Sequence, residues 1–123
     1  MADESILDLT KKLVGLDAEY DAFDLEIITH INTVFFTLKQ LGVGPVEGFM
    51  ITGRTEKWAD YIGYDDINAI KTLMALKVRL LFDPPATSFT QDSMKNAITE
   101  LEWRLNVHME GVNHEWDNLP TNS

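Results

Sequence analysis

A chain of 123 residues with 45% hydrophobic side chains has the length of one domain and is too apolar for an intrinsically disordered segment. Its 20 carboxylates face only 10 basic residues, and the net charge of −10 argues against binding nucleic acid by phosphate neutralisation, which needs clustered Lys and Arg. The absence of cysteine removes disulfides, thiolate nucleophiles and Cys-ligated zinc, and no apolar run approaches the roughly 20 residues that span a bilayer.

The N-terminal Met1-Ala2-Asp3-Glu4 is acidic and has no signal-peptide core, the pattern of a product made in the cytoplasm. From Ser5 to Val14, Ile6, Leu9 and Leu13 recur at helical spacing, so this segment reads as a short amphipathic helix. Ser5 is its N-cap, Lys11 and Lys12 lie near its end, and Gly15 stops it. Asp24 is placed to cap a second helix. Its stripe is Leu25, Ile28, Ile31, Phe35 and Leu38, with Ile27, Val34 and Leu41 beside it. An arc this wide touches two neighbours, and Gly42 fits the C′ position that ends the helix. His30 lies at the edge of the arc and reads as a partly exposed or hydrogen-bonded histidine rather than a ligand.

Gly42, Gly44, Pro45, Gly48 and Gly53 punctuate the stretch from Val43 to Tyr64. Phe49-Met50-Ile51-Thr52 suits a short extended piece. Thr55 is placed to cap a helical turn or two through Tyr61, closed by Gly63. Trp58, Tyr61 and Tyr64 are large anchors that either pin this loop to the core or face a partner. Burial of each contributes on the order of 2–3 kcal/mol. Asp65 or Asp66 opens the third long helix, where Ile67, Ile70, Leu73, Met74, Leu76, Leu80 and Leu81 occupy more than one face. That makes it the central helix. Pro84 drives Asp83 out of the α region and Pro85 restricts Pro84, a hard stop. Ser88 and Gln91 have capping-box spacing, and the last helix runs from about Phe89 or Thr90 to Met109, ended by Gly111. Met94, Ile98, Leu101, Leu105 and His108 share one face of it. Trp103 and Val107 lie on another, against either a second subunit or the first helix. Residues 1–111 form the helical domain. Val112 to Ser123 has no periodicity and no Lys or Arg, and reads as a flexible tail.

No phosphate-binding glycine loop, H-E-x-x-H or G-x-S-x-G occurs. His108, Glu110, His114 and Asp117 have metal-ligand chemistry but straddle Gly111, where nothing fixes their geometry. Asp65-Asp66 is explained by the helix dipole. The residues imply no cofactor and no metal, and they point away from an enzyme. The fold class is all-α: a small bundle of about four main helices, with a Gly-rich, Trp-bearing loop between the second and third long segments.

The stretch Lys77-Val78-Arg79-Leu80-Leu81-Phe82-Asp83-Pro84-Pro85 resembles the head–tail connector (adaptor, or head completion) proteins of long-tailed bacteriophages. Tyr20 to Pro45 looks like that family's second helix and its Gly-rich exit. Thr55 to Ile62 looks like its Trp-bearing loop helix, and Ile98 to Val107 like its last helix. The resemblance implies a structural virion protein of the phage neck, without enzymatic activity or cofactor, made in the host cytoplasm and not bound to membrane. It implies a homo-oligomeric ring, usually of twelve subunits, between the portal protein and a downstream stopper or tail-completion protein. DNA passes through without specific binding, and the acidic composition then suits a bore along which DNA slides. Asp83, Pro84 and Pro85 are the structural corner that turns the last helix back along the central one. Trp58, Tyr61, Trp103, Val107 and Trp116 are the candidate interface residues, and the last helix with its tail is a candidate for portal contact. One alternative is an acidic inhibitor or DNA mimic that binds a host nucleic-acid enzyme; against it, the carboxylates are spread among caps and faces. Another is a small helical enzyme, which needs a pocket of perturbed titratable groups.

Overall fold

Among the described residues of the computed structural model, 4–62 and 67–113, five α-helices follow one another and no strand forms. They are α1 (Ile6–Leu13), α2 (Asp24–Gln40), α3 (Trp58–Tyr61), α4 (Ile67–Phe82) and α5 (Ser88–Asn113). The fold is an all-α bundle of four longer helices, and α3 is the single turn expected in the Trp-bearing loop.

The Ser5 hydroxyl accepts the Asp8 N–H at 3.2 Å and caps α1, and Gly15 at φ +95° ends it. The face that α1 buries differs from the expected Ile6–Leu9–Leu13 stripe. Ile6, Leu7, Thr10, Lys11 and Val14 go inward, while Leu13 is half exposed. Counting only apolar positions missed Lys11, whose ammonium is satisfied inside. It donates to the Ala18 carbonyl at 2.9 Å and meets Asp24 Oδ1 at 2.7 Å. Asp24 is therefore the first residue of α2 and the partner of Lys11, not the cap; Phe23 holds the cap position without a side-chain bond. Ile27, Ile31, Val34, Phe35 and Leu38 are the buried positions of α2, and Leu25 points to solvent. Gly42, at φ +86°, ends this helix as its position requires.

The loop from Val43 to Lys57 is held by polar ties rather than by a strand. Asn32 on α2 accepts the Ile51 N–H at 2.8 Å and donates to the Ile51 carbonyl at 3.0 Å, doing with one amide what a neighbouring strand does with its backbone. Residues 49–52 therefore form no strand. An isolated antiparallel bridge pairs Ser5 with Lys57, through Ile6 N–H to the Glu56 carbonyl and Trp58 N–H to the Glu4 carbonyl, each 3.1 Å. Lys57 rather than Thr55 precedes the α3 turn, and the Asp60 carboxylate accepts the Lys57 N–H at 2.8 Å. The Gly63 stop and the Asp65 or Asp66 start lie outside the described residues, as does Tyr64.

The central role of α4 is as expected: it packs against α1, α2 and α5. Phe23 at the start of α2 stacks edge-on against Phe82 at the end of α4, centroids 5.2 Å apart, so these helices run antiparallel. After Phe82 the chain turns through Asp83-Pro84-Pro85 and α5 returns along α4, joined to it by Lys77–Glu102 at 2.6 Å. The α5 cap is one residue earlier than expected. Thr87 Oγ1 accepts the Thr90 N–H at 3.2 Å, while the Gln91 amide reaches back to the Pro85 carbonyl at 2.6 Å. Gly111 does not stop α5, which continues to Asn113. A glycine ends a helix by taking positive φ, and Gly111 is not among those that do.

Candidate interface surfaces

The titratable groups with clear shifts serve the fold. Hydrogen bonds from Arg54 to Asp8, at 2.9 and 3.1 Å, and then the Asp8 and Glu19 charges hold the guanidinium above its ordinary value. Burial pushes the Glu56 carboxyl up, but the N–H groups of Thr52, Gly53 and Glu56 itself, with the Thr52 hydroxyl, outweigh it and hold the carboxyl below its ordinary value. Both groups fasten the loop, one to α1 and one to itself. Among the described residues no three His, Asp or Glu side chains gather as metal ligands. His108 and Glu110 are exposed on α5, and His114 and Asp117 lie outside the described residues. His108 does not share the packed face assigned to it, because Met109 holds that position. His30 is 20% exposed at its side chain and lies 3.5 Å from Glu26, a partly exposed histidine as read.

The expected interface residues separate into two kinds. Trp58 is 0% exposed and Tyr61 5%, so both are core anchors and offer no surface to a partner. Their rings pack with Phe35 and Phe49: Phe35 lies 4.6 Å from Tyr61 and 6.3 Å from Trp58, centroid to centroid. The Tyr61 ring also lies over Gly44, where a Cβ would come within 2.6 Å of it. Trp103 is 65% exposed and Val107 49%, one helical turn apart on the outer side of α5. Ile98, Leu105 and Met109 on the inner side are buried. Trp103 thus does not pack against α1. Trp116 lies outside the described residues. Asp83, Pro84 and Pro85 form the α4–α5 corner, where the Asp83 N–H reaches the Arg79 carbonyl at 2.8 Å and Arg79 Nε returns to the Asp83 carbonyl at 3.2 Å.

Two further apolar surfaces escaped the sequence reading. Phe36 and Met50 are exposed beside a shallow depression with Asn32, Lys39 and Phe49. The spacing of Leu25 and Phe36, on the side of α2 away from its buried stripe, was the available signal. The second is a groove with Leu80 and Leu81 of α4 as floor, Thr33 and Thr37 of α2 on one wall, and Lys95 and Ile98 of α5 on the other. It brings together positions from three helices, so no local pattern announces it.

These features are exposed apolar surfaces of the described residues. A family model described as phage connector protein matches residues 6–112. No curated protein and no solved structure matches the chain.

Proposed function

The chain belongs to the phage connector protein family, and from that premise we propose that it forms a ring in the phage neck between the portal protein and the next head–tail joining protein. The family match, which spans all five helices nearly to the end of α5, is the observation that carries this reading. Membership implies a structural component of the virion rather than an enzyme. Among the described residues no helix is long and apolar enough to cross a membrane.

The ring holds about twelve copies, the number usual for the family that the sequence resembles. Its bore is acidic, since a net charge of −10 spread over each copy repels the duplex and lets it slide without specific contacts. The helical body runs to the end of α5 at Asn113, and residues 114–123 engage the portal. Synthesis takes place in the host cytoplasm and the protein ends in the neck of the particle.

Antibody labelling of purified tailed and tailless particles tests the reading. Label at the head–tail vertex is the expected result. Absence of the protein from purified particles overturns it and turns attention to an acidic inhibitor of a host nucleic-acid enzyme, sought by pull-down.

A further inference from the structure

We infer that the groove between α2, α4 and α5 of one copy receives the Trp103–Val107 face of α5 from a second copy. The inference rests on the ring reading only in naming its subunit contact. Both surfaces are present on each chain.

On α5, positions 100, 103, 107 and 110 recur at the three-and-four spacing that lines one side of a helix. They read Glu100, Trp103, Val107 and Glu110: an apolar centre with a carboxylate at each end. Tryptophan is the side chain most enriched among residues that dominate binding energy. Glu100 and Glu110 are ten residues apart, about 15 Å along the axis. Arg104, 3.3 Å from Glu100, is the basic residue of this side.

The groove has the opposite arrangement. Leu80, Leu81 and Ile98 give it an apolar floor and flank, threonines line its edges, and its charged lining residues are Lys77 and Lys95, with no carboxylate among them. Lys77 meets Glu102 at 2.6 Å, which fixes the register of α5 on α4. Lys95 precedes Glu102 by seven residues, so it lies about 10 Å further along the bundle. Lys77 is already engaged by Glu102, so Lys95 is the groove ammonium placed to meet a carboxylate of the incoming face; Glu100 is engaged by Arg104, which leaves Glu110 as its match. Lys95 beside an apolar floor, and an apolar helix face that ends in Glu110, are complementary in charge and in character.

The symmetry follows from the same geometry. The groove uses the flank of α5 that bears Lys95 and Ile98, and the knob uses the outer side. A groove that takes the helix face of the next copy without the reciprocal contact makes a heterologous contact, which closes into a ring or runs on as a filament. The reciprocal arrangement, in which each groove takes the other copy's face, is a two-fold dimer and stops, so products longer than the dimer distinguish the two.

The test is photocrosslinking of the full chain carrying Trp103→benzoylphenylalanine, both as concentrated purified protein and in purified particles. Adducts are mapped by mass spectrometry. The expected result is an intersubunit adduct on Thr33, Thr37, Leu81 or Lys95, with a ladder of products longer than the dimer. Lys95→Glu, at an exposed position and checked for unchanged helicity, lowers its yield about tenfold by placing like charges together. Adducts confined to the Trp103 face of the second copy, adducts on another virion protein, or no intersubunit adduct in either sample would each overturn the contact. Vertex labelling without the groove adduct leaves the connector reading standing and removes this one. A groove adduct in the free protein, with no protein in particles, does the reverse.

Discussion

The buried ion pair between α1 and α2 makes an asymmetric prediction. The Lys11 side chain is 1% exposed, and its ammonium is held by Asp24 at 2.7 Å and by the Ala18 carbonyl at 2.9 Å. Asp24→Ala leaves that ammonium buried with one neutral partner. Removing one member of a buried pair costs about 3–5 kcal/mol. Asp24 is a quarter exposed although its Oδ1 is buried, so the site is partly open and the cost falls to about 2–3 kcal/mol. Lys11→Met keeps the apolar stem in place and leaves a carboxylate whose Oδ1 is buried but whose side chain is a quarter exposed, so its cost is the smaller, about 1 kcal/mol. At this chain length 1 kcal/mol moves the melting temperature by about 4 °C. Asp24→Ala is expected to lower Tm by about 10 °C and Lys11→Met by no more than about 4 °C. Glu26→Ala controls for loss of an acid in the first turn of α2, a dipole effect of about 0.3–1 kcal/mol. Thermal and urea unfolding of the three variants decide the matter. The reasoning fails if Asp24→Ala matches the Glu26→Ala control, or if Lys11→Met costs as much as Asp24→Ala.

Three further perturbations probe the loop. Gly44→Ala combines positive φ, at +88°, with a Cβ 2.6 Å from the Tyr61 ring; it should cost more than about 2 kcal/mol in urea unfolding. Gly15→Ala, at φ +95° in open space, isolates the backbone cost of about 1–2 kcal/mol. Asn32→Ala strands the Ile51 N–H and carbonyl, about 1–3 kcal/mol for a buried group left unsatisfied, and should speed hydrogen exchange at the Ile51 amide while leaving the interior of α4 protected. Glu56 has a folded pKa below its ordinary value of 4.5, so its stabilising contribution is complete above that value and is lost as pH falls through the lowered one. Glu56→Gln should therefore reduce stability at pH 7 and flatten the acid limb of the stability–pH curve. An unchanged acid limb removes Glu56 as its cause.

Elements bounded by strong local chemistry were legible in the sequence: the Ser5 cap, the Gly15 and Gly42 stops, and the Asp83-Pro84-Pro85 corner. What escaped depended on a distant partner. Lys11 looks like a solvent-facing charge until Asp24 is brought beside it, and Asn32 looks like a surface amide until Ile51 crosses it. Thr87 and Ser88 are adjacent hydroxyls, and the reach of Gln91 to the Pro85 carbonyl, rather than hydroxyl propensity, fits the choice of Thr87. For the candidate interface, the phase of Ile98 and Leu105 put Trp103 and Val107 on a different face, and the sequence left open whether the first helix covers it. The burial of Trp58 did not follow, because a four-residue helix carries no phase by which to decide which way a ring turns.

The distribution of burial gives α5 a different standing from the other helices. Five buried side chains hold the 17 residues of α2, and three among the described side chains hold the 26 residues of α5. Of the long helices, α4 is the one it packs against substantially. By its length α5 runs about 39 Å, against about 24 Å for α4. A helix so sparsely anchored draws little stability from its own subunit, and isolated helices are marginal in water without a packed face. Yet its unpacked side carries tryptophan and valine one turn apart, where solvation alone favours polar residues. The subunit contact proposed above resolves both facts together. Burying Trp103 and Val107 between subunits supplies α5 with the second face that its own bundle withholds, and it couples the order of the helix to assembly. On this account the polar ties of the loop and the Lys11–Asp24 pair fix the α1–α2–α3 side within the monomer, with Phe36 and Met50 still exposed there. On the proposed contact, the α5 side is completed by the neighbour.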